Sequence, residues 1–178
     1  MNIIEALKMK LDAAQVWQKE ICLARNQFLK VKGSIDTNLY FILSGSVRIF
    51  FEDEYEDQTL RLGYTHNFIA ALDSFISEQA SELYIQVLKK CTLRVTTKAR
   101  FMEFLAQDPS HLVLWQKILE QLIYQQMERE KDLLTSSPAT RYRRVLERSP
   151  QLFQEVPNKY IASYLRMTPE TLSRLKKS

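Results

Sequence analysis

Between Glu20 and about Val95 the sequence passes through four stretches, CLARNQFLKVKG, NLYFILSGSVRIFF, QTLRLGY and YIQVLKKCTLRVTT, each rich in Val, Ile, Tyr and Phe and separated by turn residues. Strands this short and closely spaced cannot each find a separate partner layer, so they must pair with one another and fold over as a small sandwich or barrel. Gly33, Gly45 and Gly63, the three glycines of the chain, all fall in this region, where tight turns or bulges call for positive φ. The acidic FEDEYED, carrying Glu52, Asp53, Glu54, Glu56 and Asp57, reads as a solvated hairpin tip.

Helical patterning brackets the β region. Ile3, Ile4, Leu7 and Leu11 share one side of a first helix, and after Lys98 the 3.6-residue period returns. Asp108 followed by Pro109 forms an N-cap with proline at the first helical position, opening a helix of about seven turns. Along it Leu112, Trp115, Ile118, Leu119, Leu122, Ile123 and Met127 make an apolar stripe too wide for one contact, so one flank is expected on its own domain and the other on a partner. Leu112, Trp115, Leu119 and Leu122 step by three, four and three, which suits a parallel seam between two copies; a helix wholly buried in one domain fits the pattern equally. At TSSPA, Ser137 caps and Pro138 opens another helix. Residues 135–137 are thus the expected hinge between a body, 1–134, and a small helical module, 138–178.

The module ends in KYIASYLRMTPETLSRLKKS. Tyr160, Ile161, Tyr164 and Leu165 repeat at helical spacing, and Ala162 leaves room for a second helix. In that second helix Thr168 caps, Pro169 opens the turn, Glu170 meets the positive end of the dipole, and Leu172 and Leu175 face inward. The result is a helix-turn-helix, which is either a DNA reader or simply the last packed hairpin of the domain. Its outward residues, Glu170, Thr171, Ser173 and Arg174, are of the kinds that read base edges: Arg takes guanine O6 and N7, and Glu accepts from cytosine N4. Charge favours DNA. From Pro138 onward nine basic residues face three acidic ones, a net +6, which leaves −2 for the rest of a chain whose total is +4. Arg141, Arg143, Arg144, Lys159, Thr168, Lys176 and Lys177 are the residues expected on phosphate.

Several classes are not supported. No run approaches the roughly 20 apolar residues of a membrane span, and MNIIEALKMKLDAAQ lacks the basic start and cleavage site of a secretory signal, so the expectation is a cytoplasmic protein. Cys22 and Cys91 lie far apart, belong to no Cys/His cluster and are expected to be buried thiols; no metal site is assigned. With two histidines, no nucleophile–base pair and no glycine-rich phosphate loop, no catalytic residue is assigned either, and an enzyme is not expected.

ILSGSV within a β-roll, NFIAALDSF between strands, the long helix and a closing YIASYLRMTPETLSRL, in that order, resemble the Crp/Fnr superfamily of bacterial transcription regulators across nearly the whole chain. The resemblance implies an α+β fold: an N-terminal cyclic-nucleotide-binding-like β-roll (jelly roll), a long dimerisation helix at about 108–134 and an all-α helix-turn-helix module at 138–178. It further implies a homodimer on double-stranded DNA reading a two-fold symmetric operator, with half-sites about one helical turn apart. RNA polymerase is an additional partner it brings in. The sequence reaches Ser178 directly after the second helix, so the expected form is a short one without a full wing, whose affinity falls steeply with salt.

The family's cyclic-nucleotide cassette is altered. Its glycine and glutamate fall on Ala70 and Ala71, and its arginine and hydroxyl residue fall near Ser81 and Glu82. A phosphate without its arginine and beside a carboxylate is disfavoured, so cyclic AMP is not expected to bind and no cofactor is assigned. Phe68, Ile69, Leu72 and Tyr84 line a remodelled effector pocket or are simply core; Leu122 and Gln126 occupy the positions on the long helix that would reach a bound base. Iron-sulfur relatives need several N-terminal cysteines where this chain has Cys22 alone. Haem-binding relatives use a roll histidine, for which His66 is the candidate. Arg166 stands where many relatives have glycine in the turn, so it either takes positive φ at about 1 kcal/mol or shifts the turn. The reading is therefore a homodimeric DNA-binding regulator with an unknown or absent effector; the alternative is a ligand-sensing or scaffolding β-roll whose helical tail binds another protein.

Overall fold

The computed structural model describes residues 2–177. Helix α1 (Ile3–Ala13) starts at Asn2, whose side chain accepts from the Ile4 amide at 3.1 Å, and it sinks Leu7 and Leu11 completely. Six strands follow: β1 (Lys19–Leu23), β2 (Phe28–Lys30), β3 (Asn38–Glu52), β4 (Asp57–Tyr64), β5 (Phe68–Ile69) and β6 (Tyr84–Thr97). All pairings are antiparallel, in the order β1-β6-β3-β4, with β2 on β6 and β5 on β3. CLARNQFLKVKG is divided into two strands because the chain turns at Asn26, which holds φ +70°.

Two strands of 15 and 14 residues form the spine, and they bend by repeated register shifts between Ile42 and Val47. Gly45 sits in that bent stretch at φ +91°, where a Cβ would collide with the Lys90 carbonyl and Cys91 Cα. Gly63 differs from expectation: its φ is not positive, and its role is to leave space for Ile69 and Val47 side chains. At the β3–β4 tip residues 53–56 are exposed as expected, while Asp57 opens β4 and pairs with Arg48 at 2.7 Å. Cys91 lies in the core, where burial pushes its thiol up to about 12; Cys22, expected buried, is exposed.

Beyond β5 comes α2 (Leu72–Ser77), and after β6 come α3 (Lys98–Gln107) and α4 (Pro109–Leu134). Thr97 caps α3, and Asp108 caps α4 by accepting from the Ser110 amide at 2.7 Å, with Pro109 at the first position. The α1, α3 and α4 helices close one end of the roll over Phe101, Phe104 and Leu105. Each such side chain contributes about 1.5–3 kcal/mol through burial.

The chain then turns at 135–137 into α5 (Pro138–Arg148), capped by Ser137. A single turn, α6 (Leu152–Glu155), precedes Pro157, with Leu152 anchoring it in the core of the C-terminal helices. Helices α7 (Asn158–Tyr164) and α8 (Pro169–Leu175) complete the chain. Leu62, Tyr64 and Leu88 of the roll pack into the same core as Val145, Ile161, Leu165 and Leu172, so the C-terminal helices rest on the sheet.

Candidate nucleic-acid interface

Helices α7 and α8 form the helix-turn-helix. Ile161, Ala162, Leu165 and Leu172 are buried between them, and the turn passes through Arg166 at φ +51°, so this arginine does adopt the left-handed conformation. Thr168 accepts from the Thr171 amide at 3.2 Å and holds the start of α8. With the apolar side anchored, Glu170, Ser173 and Arg174 project into solvent at i, i+3 and i+4, a single polar stripe, and Lys177 is exposed in the turn that follows. Thr171 lies to one side, half-buried, its hydroxyl 3.2 Å from that of Thr168.

Glu170 is held below its ordinary value by its own backbone amide and the Thr168 side chain, with Arg174 adding a smaller effect. It is an ionised acceptor at neutral pH. Arg143 on α5 and Lys159 on α7 are also exposed. Lys176 donates to Asn158 Oδ1 at 2.7 Å and so ties α8 back to the start of α7.

Two residues expected on phosphate are committed elsewhere. Arg141 is buried, donating to the carbonyls of Leu165 (2.9 Å), Thr135 (2.6 Å), Ser136 (3.0 Å) and Arg166 (3.0 Å). It braces the turn of the helix-turn-helix against the 135–137 linker, and four of its five N–H donors are spent on these carbonyls. Arg144 donates to Asp132 at 2.8 Å and Glu128 at 2.9 Å, while Arg148 reaches Asp132 at 2.5 Å. These pairs join α5 to α4 around an Asp132 side chain that is 0% exposed. Sequence gave each arginine a charge but not a direction; the inward phase of Arg141 with Val145 was the available signal.

The long helix divides its stripe. Trp115 meets Phe101 edge-on at 4.9 Å and, with Ile118, packs into its own roll; Leu122 lines a cavity against Phe68 and Ile69. Of the four residues expected at a seam, Trp115 and Leu122 therefore turn toward their own roll. Leu119 is half-buried, and Leu112, Ile123 and Met127 form the exposed flank, Ile123 at 63% and Met127 at 54%.

Of the residues expected around an effector, Phe68, Ile69, Ala70, Leu72 and Leu122 come together between roll and α4, with Gln126 at the margin. Ala71 is wholly buried in the sheet core. Ser81 is buried beside the Gly33–Ser34 turn, where its hydroxyl accepts from the Leu83 amide at 3.0 Å, and Glu82 is exposed. Tyr84 stacks on Phe50 at 5.0 Å and donates to Glu52 at 2.9 Å. Ser81, Glu82 and Tyr84 stand apart from the residues that line the cavities. His66 is exposed, stacked on Phe41 at φ +67°. Among the described residues no His, Cys, Asp and Glu side chains cluster as a metal site, and no helix is long and apolar enough to cross a membrane.

Arg61 and Arg129 were missed. Arg129 falls on the Leu122–Gln126 side of α4 and was legible from periodicity, whereas Arg61 was not, because a register shift between Thr59 and Arg61 breaks the alternation along β4.

No family model matches the chain, and neither does any curated protein sequence. Solved structures do. CooA of Carboxydothermus hydrogenoformans, in a double mutant, aligns with TM-score 0.73 and 17% identity over 99% of this chain and 83% of that one. The c-di-GMP responsive global regulator CLP of Xanthomonas campestris gives 0.68 and 15% over 96% and 90%. FixK2 of Bradyrhizobium japonicum gives 0.65 and 15% over 89% and 82%. The order β-roll, long helix and helix-turn-helix, matched over nearly the full chain, identifies this as the α+β fold of the Crp/Fnr-type regulators.

Proposed function

We propose that the chain is a cytoplasmic, homodimeric transcription regulator that binds sequence-specific double-stranded DNA through α8. The observation that carries this reading is the stripe Glu170, Ser173 and Arg174, exposed on a helix whose other side is fixed by Leu172 and whose start is capped by Thr168, with Lys177 exposed just past its end. Such a helix presents donors and an ionised acceptor to base edges without having to be reorganised.

Arg143, Lys159 and Lys177 supply the phosphate contacts in this reading; Arg141 and Arg144 serve the module's internal architecture instead. A second copy docks along the exposed Leu112, Ile123 and Met127 flank, placing two α8 helices on a symmetric site, with RNA polymerase as a further partner. The protein is a regulator rather than an enzyme, and it does not use cyclic AMP, because Ser81 and Glu82 stand at the cassette's arginine and hydroxyl positions.

Selection of duplexes from a random library by purified protein tests the reading. Enrichment of a two-fold symmetric motif is expected. Binding without enrichment, or capture of a protein partner by residues 138–178 with no duplex bound at low salt, would replace DNA reading with the scaffolding role.

A further inference from the structure

Position 30 closes β2, whose residues run from exposed Phe28 through half-buried Leu29 to an inward Lys30. An apolar side chain is the ordinary choice for such a place. Lys30 is instead 4% exposed, and its ammonium donates to the carbonyls of Leu83 at 2.7 Å, Val31 at 2.9 Å and Ser81 at 3.4 Å. Three N–H donors thereby meet three backbone acceptors, the surroundings that a desolvated monovalent cation finds among carbonyl oxygens.

The two carboxylates that bear on this charge are committed elsewhere. Burial pushes the ammonium below its ordinary value, against the opposing influence of Asp73 and Asp36. Asp36 accepts from the Asn38 amide at 3.0 Å and the Tyr40 hydroxyl at 2.8 Å, and Asp73 from the Ser74 amide at 2.9 Å. A lysine buried in this way is costly unless its hydrogen bonds repay the lost water, so the carbonyls it gathers define its role.

Two of those carbonyls belong to residues 78–83, which join α2 to β6 without helix or strand and are exposed except at Ser81 and Leu83. Few other bonds fix the segment. The Ser81 amide donates to the Ser34 carbonyl at 3.2 Å, the Gly33 amide to the Ser81 carbonyl at 2.8 Å, and the Ser74 hydroxyl to the Gln79 carbonyl at 2.7 Å. An irregular, solvated stretch with so few contacts opens easily on its own.

We propose that Lys30 is a built-in strap: its ammonium draws the Ser81 and Leu83 carbonyls onto the end of β2 and holds residues 78–83 folded against the roll with no effector bound. The segment includes Ser81 and Glu82, so the chain itself supplies order at the place where the cassette's arginine is missing. Cutting the side chain back should convert the strap into a site for a small primary alkylammonium ion.

Hydrogen exchange on the full-length chain without DNA tests this, independently of whether α8 reads a duplex. In Lys30→Met, which keeps the bulk and removes the charge, the Gly33, Ser81 and Leu83 amides should exchange roughly tenfold faster or more, while the β3–β6 ladder keeps its wild-type protection. Lys30→Ala should open the same amides. n-Propylammonium, which replaces the lost atoms, should close them again; tetramethylammonium at the same ionic strength, having no N–H to donate, should not. In the wild-type protein the Lys30 Nζ should give a slowly exchanging ammonium resonance, unlike solvated lysines, and this measurement decides if neither variant folds. Unchanged exchange at Ser81 and Leu83 in Lys30→Met, equal acceleration throughout the ladder, equal responses of Lys30→Ala to the two ammonium ions, or a wild-type Nζ signal averaged with water overturns the proposal.

Discussion

Thr59 Oγ1 and Ser163 Oγ stand 3.1 Å apart, joining the middle of β4 to the first helix of the helix-turn-helix. Around this contact Arg48 reaches from β3 to the Tyr160 ring at 5.0 Å, and Ser46 donates to the Glu155 carbonyl at 3.2 Å. The roll therefore holds the module by a polar seam laid over the Leu62–Leu88 apolar contact. Polar seams of this kind are exchangeable with water, which makes the docked position one that pH and surface charge can adjust.

Glu155 makes the seam acid-sensitive. Burial raises its carboxyl, but donation from the Thr65 side chain and amide, the latter at 3.0 Å, together with Gln151 and the Lys89 charge, brings it below its ordinary 4.5. A depressed carboxylate contributes stability that is complete above 4.5 and is lost as pH falls through the lower folded value. Glu155→Gln should cost about 1 kcal/mol at pH 7 and flatten the acid limb below 4.5. Urea melts at a series of pH values check this; an unchanged acid limb would show that Glu155 does not report docking.

Asp132 is the keystone between α4 and α5. It is fully buried with Arg144 and Arg148 on its two oxygens and Arg129 nearby. Asp132→Ala should destabilise the chain by about 3 kcal/mol, because three arginines lose their common counter-charge. Asp132→Asn should recover part of that loss through its remaining acceptor. Equilibrium denaturation measures both, and a loss below about 1 kcal/mol would make the knot ornamental.

The limits of sequence reading follow from these residues. Strand, helix and cap positions were legible because each depends on neighbours in the chain: Asp108 before Pro109, Ser137 before Pro138, and Thr168 before Pro169. What Arg141 and Arg144 do depends instead on carbonyls and carboxylates brought from other elements, so their charge was legible and their partners were not. The same holds for Tyr84, which belongs to an aromatic trio with Phe28 and Phe50 assembled from three strands. Trp115 fits both the seam pattern and the core pattern in the sequence, and its edge-on contact with Phe101 depends on helices that only the fold brings together.

On DNA the division of labour between α8 and the rest is separable. Arg174→Ala should flatten preference among duplexes, costing roughly tenfold or more on the selected site and little on random sequence. Arg143→Ala should weaken all duplexes alike and lower the slope of log K against log salt by about one. Arg141→Ala should act differently from both, since removing four donated hydrogen bonds loosens the turn and lowers the melting temperature as well as binding. Fluorescence anisotropy at several salt concentrations distinguishes the three, and equal effects of Arg174→Ala on all sequences would move base reading away from α8.

The exposed flank of α4 gives the final test, because the helix serves two masters on opposite sides. Ile123 and Met127 are one turn apart and more than half exposed, while Trp115 is packed against Phe101. If a second copy covers the outer flank, Ile123→Glu buries a charge at the seam in the dimer but is solvated in the monomer, so the assembly should fall apart while each chain stays folded. Trp115→Ala should do the reverse: a cavity inside the roll costs about 3–5 kcal/mol, and any change in assembly follows from unfolding. Light scattering gives the mass and circular dichroism the melting curve for each variant. A wild-type monomer across the micromolar range, or an Ile123→Glu protein that remains a dimer, would place the partner elsewhere than on this face of α4.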